Sequence, residues 1–84
     1  MDIITVPIRA RFQAQDRIMM MQLDKAMQDF RAFNDGRVPA NQEEFDDKII
    51  RQYGIKLPPI RANEKYVYDP RDGELKIASP RGTQ

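Results

Sequence analysis

The segment from Ala26 to Ile77 constrains the fold most, because its helix stops, prolines and turn residues dictate the order of elements. That order is long helix, loop, short helix, extended crossing and hairpin. With 84 residues the chain has room for one small domain, which we place over residues 1–84. A domain of this size buries a modest share of its surface, so a partner that covers more of it adds stability.

Helix one is predicted over residues 8–34, after a flexible start at residues 1–7. Pro7 suits the first turn of a helix, Gly36 supplies a left-handed stop, and Pro39 forbids continuation. One apolar stripe follows the helical period and is expected to form the core face: Phe12, Met19, Leu23, Ala26, Phe30 and Phe33.

The same helix carries a second apolar face on its far side. At about 100° per residue, this face contains Ala10, Ala14, Ile18 and Met21. A helix that is apolar on both sides is normally buried on both sides, so we predict an interaction surface for a second copy, another protein or a lipid surface. The alternative is that the flanking residues shield this face with their aliphatic stems: Arg9, Arg11, Asp16 and Arg17.

Helix two is predicted over residues 41–53. Asn41 and Glu44 form a capping-box pattern at its start, and Gly54 supplies a left-handed stop. Its buried face is expected to contain Phe45, Ile49 and Tyr53. The acidic residues around Glu44 are typical of a solvated helix face rather than of a cation site.

The last part of the chain is predicted to be a two-stranded antiparallel hairpin over residues 64–78, with residues 79–84 as a frayed tail. Aromatic and β-branched residues from Tyr66 favour a strand, and turn residues up to Gly73 lead to its partner. Pro58 and the proline after it keep the preceding segment extended. Because an isolated hairpin is marginal in water, we expect it to pack on helix one, which gives an α+β fold.

The chain contains neither cysteine nor histidine. Their absence removes the usual ligands of zinc and the usual bases of Ser-His and Cys-His hydrolases, so we expect no enzyme activity and no cofactor. The net charge is only +1, and we expect no nucleic-acid binding. The basic residues that would support that alternative are interrupted by aspartates: Arg9, Arg11, Arg17, Lys25 and Arg31.

A set of residues along the last two thirds of the chain follows the motif order of a known family: Ala26, Phe30, Asn34, Gly36, Pro39, Phe45, Leu57, Pro58, Tyr66, Tyr68, Asp69, Pro70 and Gly73. In this order the chain resembles the soluble part of bacterial type II secretion pseudopilins and related type IV pilin-like proteins. It is also similar to small exported bacterial proteins of unknown role.

The resemblance implies a structural subunit of an assembly in the cell envelope or periplasm, with helix one as its packing surface. Any membrane association would then come from a segment absent from this chain. The resemblance also raises a calcium site at Asp69, Asp72 and Glu74, although such carboxylates are more often turn residues, and we expect no bound metal. The alternative roles are a free-standing oligomeric protein interaction module and an anchored small exported protein.

Overall fold

In the computed structural model, which describes residues 3–12 and 16–80, helices cover one face of an antiparallel sheet. The elements in chain order are β1 (Ile3–Pro7), α1 (Ile8–Phe12), α2 (Arg17–Phe33), α3 (Gln42–Phe45), a π-helix (Asp46–Arg51), β2 (Lys65–Asp69) and β3 (Glu74–Pro80). The three strands lie in the order β1-β3-β2, so the last strand is the central one.

The sheet corrects the predicted two-stranded hairpin, because a third strand lies where a flexible start was expected. β1 pairs antiparallel with β3, with Ile3 opposite Pro80 and Val6 opposite Ile77. The run of β-branched residues in β1 suits a strand, but its partner lies at the other end of the chain. Residues 79 and 80 of the predicted tail belong to β3, and residues 81–84 lie outside the described part of the chain.

The predicted long N-terminal helix is also wrong, because α1 and α2 are separate helices. Asp16 precedes α2 with φ −121° and ψ 51°, which is not a helical conformation. Arg9 of α1 makes an ion pair of 2.9 Å with Asp24 of α2. In one continuous helix these two residues would be about 22 Å apart at 1.5 Å per residue, so α1 folds back beside α2.

The predicted second helix is a short α-helix that continues as the π-helix. Asn41 caps α3, because its side-chain oxygen accepts the N–H of Glu44 at 2.8 Å, and a Glu44 carboxylate oxygen accepts the N–H of Ala40 at 2.8 Å. At the other end, Gly54 has φ +61° and the N–H of Ile55 donates to the Ile50 carbonyl.

The core lies between the helices and one face of the sheet. Phe45 of α3 stacks on Tyr68 of β2 with ring centroids 4.4 Å apart, and Ile49 and Ala26 are completely buried. Of the residues predicted to form the core, the following are buried: Phe12, Met19, Leu23, Ala26, Phe30, Phe45 and Ile49.

Two predicted core residues lie on the surface instead. Phe33 is 85% exposed, because residues spaced by seven drift by about 20° per heptad around a straight helix and leave the buried stripe. Tyr53 is 37% exposed, and its hydroxyl donates to Asp29 at 2.9 Å. The π-helix before Tyr53 has i→i+5 hydrogen bonds, so a spacing of four no longer keeps this ring beneath Ile49.

Candidate interaction surfaces

The far-side face predicted from the sequence does not form one surface. Ala10 is exposed on α1, Ala14 lies outside the described residues, and Ile18 and Met21 lie on α2. Because α1 folds back, the α1 position and the α2 positions no longer share a helix axis. What remains is an exposed pair one turn apart, Ile18 and Met21, which we call the α2 patch.

The α2 patch is open to solvent, since Ile18 is 74% exposed and Met21 is 62% exposed. Two of the three arginines that were expected as alternative covers, Arg9 and Arg11, have other partners. Arg9 bonds to Asp24, and Arg11 donates to both carboxylate oxygens of Glu64 at 3.0 Å. The larger part of the Ile18 and Met21 side chains is therefore not covered by arginine stems.

A second exposed apolar surface, which the sequence pattern did not indicate, lies on β1. Ile3 and Ile4 are exposed and Val6 is just over one third exposed. Within the described ranges, 3–12 and 16–80, β1 is an edge strand and its one partner is β3. The opposite edge of the sheet differs, because Gln42 of α3 accepts the N–H of Tyr68 in β2 at 2.7 Å.

Phe33 and Tyr53 flank a groove of about 310 Å³ between the end of α2 and the helical segment that follows Asn41. The sequence pattern did not indicate this surface, because the helical spacing of both rings predicted that they lie in the core. The hydrogen bond to Asp29 raises the pKa of Tyr53, and hydrogen bonds from Lys25 and Tyr53 lower the pKa of Asp29, so neither group is brought closer to neutral pH.

The turn between β2 and β3 holds the residues considered for calcium. Asp69 bonds to Arg71 and to Lys76, each at 3.1 Å, and Lys76 also lies 2.8 Å from Asp72. Glu74 takes part through its backbone N–H, which donates to Asp72. These amino and guanidinium groups occupy the positions that a cation would take, and the described residues contain no group of three or more acidic side chains that could hold a metal ion.

The resolved pKa shifts move every affected group away from neutral pH. Hydrogen bonds from Arg71 and Lys76 hold the pKa of Asp69 well below its usual range, and the hydrogen bond from Arg11 lowers the pKa of Glu64. Burial raises the pKa of Tyr68 to about 12, and its hydroxyl donates to the Pro39 carbonyl at 2.7 Å. None of these shifts prepares a group for proton transfer near pH 7.

Comparisons with protein-family models, curated proteins and solved structures find no match to this chain. None of the helices in the described part of the chain has the length and apolar character needed to cross a membrane.

Proposed function

We propose that this protein is a non-enzymatic assembly subunit whose copies associate through the α2 patch. The observation that carries this proposal is the exposure of Ile18 and Met21 side by side on one face of α2. Covering such exposed apolar side chains with a protein surface lowers the free energy of the system, which favours association. The direction of the pKa shifts also favours a role without acid–base chemistry.

Association through the α2 patch alone is expected to be weak. Complete burial of one isoleucine or methionine side chain contributes about 1.5–3 kcal/mol, and a two-fold contact buries the pair from each copy. Association costs about 4–15 kcal/mol in lost translational and rotational freedom. The assembled fraction should therefore depend strongly on protein concentration.

The more specific role of a pilin-like subunit in the cell envelope stays a prediction from the motif order between Ala26 and Gly73. β1 and the break before Arg17 give the N-terminal part a layout different from the long helix which that resemblance implied. A free-standing interaction module and an anchored exported protein use the α2 patch in the same way, so the experiment below applies to all three.

The test compares the parent protein with Ile18→Glu/Met21→Glu by size exclusion with light scattering over a range of concentrations. The variant should show a lower mass than the parent, because the contact would bury four carboxylates in a two-fold pair. Circular dichroism should be unchanged, since both side chains already face water.

Gln28→Glu/Ala32→Glu is the matched control, because it adds the same charge at exposed positions further along α2. It should keep the mass of the parent. A parent that is monomeric at every concentration, or a patch variant with the mass of the parent, would contradict the proposal.

A further inference from the structure

The direction of the main-chain groups in β1 follows from the hydrogen bonds at the other edge of the sheet. The N–H of Tyr68 donates to the Gln42 side chain, so Tyr68 and Leu75 form a non-hydrogen-bonded pair of the β2–β3 ladder. Residues of a central strand direct their main-chain groups to alternate sides. Leu75, and Ile77 two residues later, therefore bond towards β1.

This alternation decides which groups of β1 face outward. Val6 lies opposite Ile77, so its N–H and C=O bond to β3. Ile3, Thr5 and Pro7 then direct their main-chain groups to the outer edge, and Pro7 costs no ladder bond there because its missing N–H would face solvent. Within residues 3–12 and 16–80, no main-chain or side-chain group bonds to that edge.

The edge lacks the features that normally prevent pairing with another strand. No residue from Ile3 to Pro7 is charged, no helix covers it in the described part of the chain, and Ile3 is 59% exposed. An open apolar edge of this kind pairs readily with a further strand. Of the features that protect a sheet edge, the described residues of β1 carry a proline at position 7.

We propose that β1 pairs antiparallel with β1 of a second copy about a two-fold axis at Thr5, which joins the two sheets into one of six strands. In this register Thr5 lies opposite Thr5 of the second copy, and Ile3 lies opposite Pro7 of the second copy. The two Thr5 residues exchange two hydrogen bonds, and each Ile3 N–H donates to a Pro7 carbonyl. The missing N–H of Pro7 thus sets the end of the ladder.

The strand complements itself chemically, which is why we assign a second copy as the occupant. Every paired side chain is uncharged, so the contact brings no like charges together. Ile4 lies opposite Val6 of the second copy on the helix side of the sheet, and each of these half-exposed β-branched side chains covers the other. This contact goes beyond the proposed function, because it uses a surface separate from the α2 patch.

The test uses Thr5→Lys and Thr5→Glu in the Ile18→Glu/Met21→Glu background, where the α2 contact is removed. The background protein should be a dimer. Either charge at position 5 should raise the dissociation constant at least about tenfold, because two like charges then face each other across the axis. Mixing the lysine and glutamate variants in equal amounts should restore the dimer, because only a register centred on position 5 places the opposite charges together.

A second pair of variants separates loss of pairing from loss of folding. Thr5→Pro removes only an outward N–H, so the background dimer should dissociate while circular dichroism and Tm stay close to those of the parent. Thr5→Val keeps that N–H and should keep the dimer.

Four results would overturn the inference: a monomeric background protein, an unchanged dissociation constant, no recovery on mixing, or unfolding of Thr5→Pro. A failure of the α2 proposal has a different signature, because the patch substitutions would then leave the mass of the parent unchanged.

Discussion

Gly73 and Gly36 share a left-handed backbone but differ in their surroundings. Gly73 has φ +70°, and a Cβ there would lie 2.9 Å from Cγ1 of Val38. Gly36 has φ +84° with no atom within 4 Å of the corresponding Cβ position. Gly36→Ala should cost about 1–2 kcal/mol from the left-handed conformation alone, and Gly73→Ala should cost more because Val38 must also move. Urea unfolding of both variants measures the difference. Equal losses of unfolding free energy would show that the Val38 side chain moves aside at no measurable cost.

Asp69 should make stability depend on acid pH. Its side chain is held by Arg71 and Lys76, which lower its pKa in the folded protein below the unfolded value of about 3.9. The contribution of Asp69 is therefore fully present above pH about 4 and is lost as the pH falls further.

We expect Asp69→Asn to lower the free energy of unfolding at pH 7 by more than it does at pH 3. Urea unfolding at the two pH values tests this. All other residues are identical in the two proteins, so the comparison isolates Asp69. A loss of equal size at both pH values would mean that the interactions of Asp69 do not depend on its charge.

At the scale of elements, the N-terminal cap of α3 depends on hydrogen bonds between residues close in sequence, and these bonds are present. Asn41→Ala removes the acceptor of the Glu44 N–H and should cost about 1 kcal/mol. Asn41→Asp keeps an oxygen at the same place and should cost less. Thermal unfolding of the two variants measures this difference. If both variants lose the same unfolding free energy, Asn41 does not stabilise the protein through its capping hydrogen bond.

Elements with local signals were predicted well, and those with distant partners were not. Pro7 marked the start of α1 at Ile8, and Gly36 and Pro39 marked the end of α2 at Phe33. β1 was missed because its partner strand lies at the far end of the chain, and a run of four residues before a proline carries little evidence by itself. The break before α2 was missed because Asp16 is a weak stop signal within a good helical pattern.

At the scale of the molecule, only one of the two surfaces proposed for self-association could be predicted. The angular positions of Ile18 and Met21 placed them away from the core stripe, and both are exposed. Ala10 was assigned to the same face only because α1 and α2 were taken as one helix. An open sheet edge cannot be predicted until the strand order is known, so the β1 surface required the structure.

The two proposed contacts together predict a definite series of assembly states. Each contact is two-fold, so a chain that uses both alternately extends beyond a dimer. The parent should therefore show masses above the dimer at high concentration, whereas Ile18→Glu/Met21→Glu and Thr5→Lys should each stop at a dimer. Their combination should be a monomer. Light scattering at matched concentrations measures the molar mass of each protein in this series. A combined variant that still dimerises would reveal a third contact.

The strand order also determines at which stage of synthesis the sheet can form. Val6 pairs with Ile77, so the pair joins residues from the two ends of the chain, and the central strand is the last to be synthesised. Contacts between residues so far apart slow folding, because the intervening chain must close before they form. On the ribosome, β1 emerges before β3 and stays without its partner strand until β3 is complete, which exposes β1 to misassembly during synthesis.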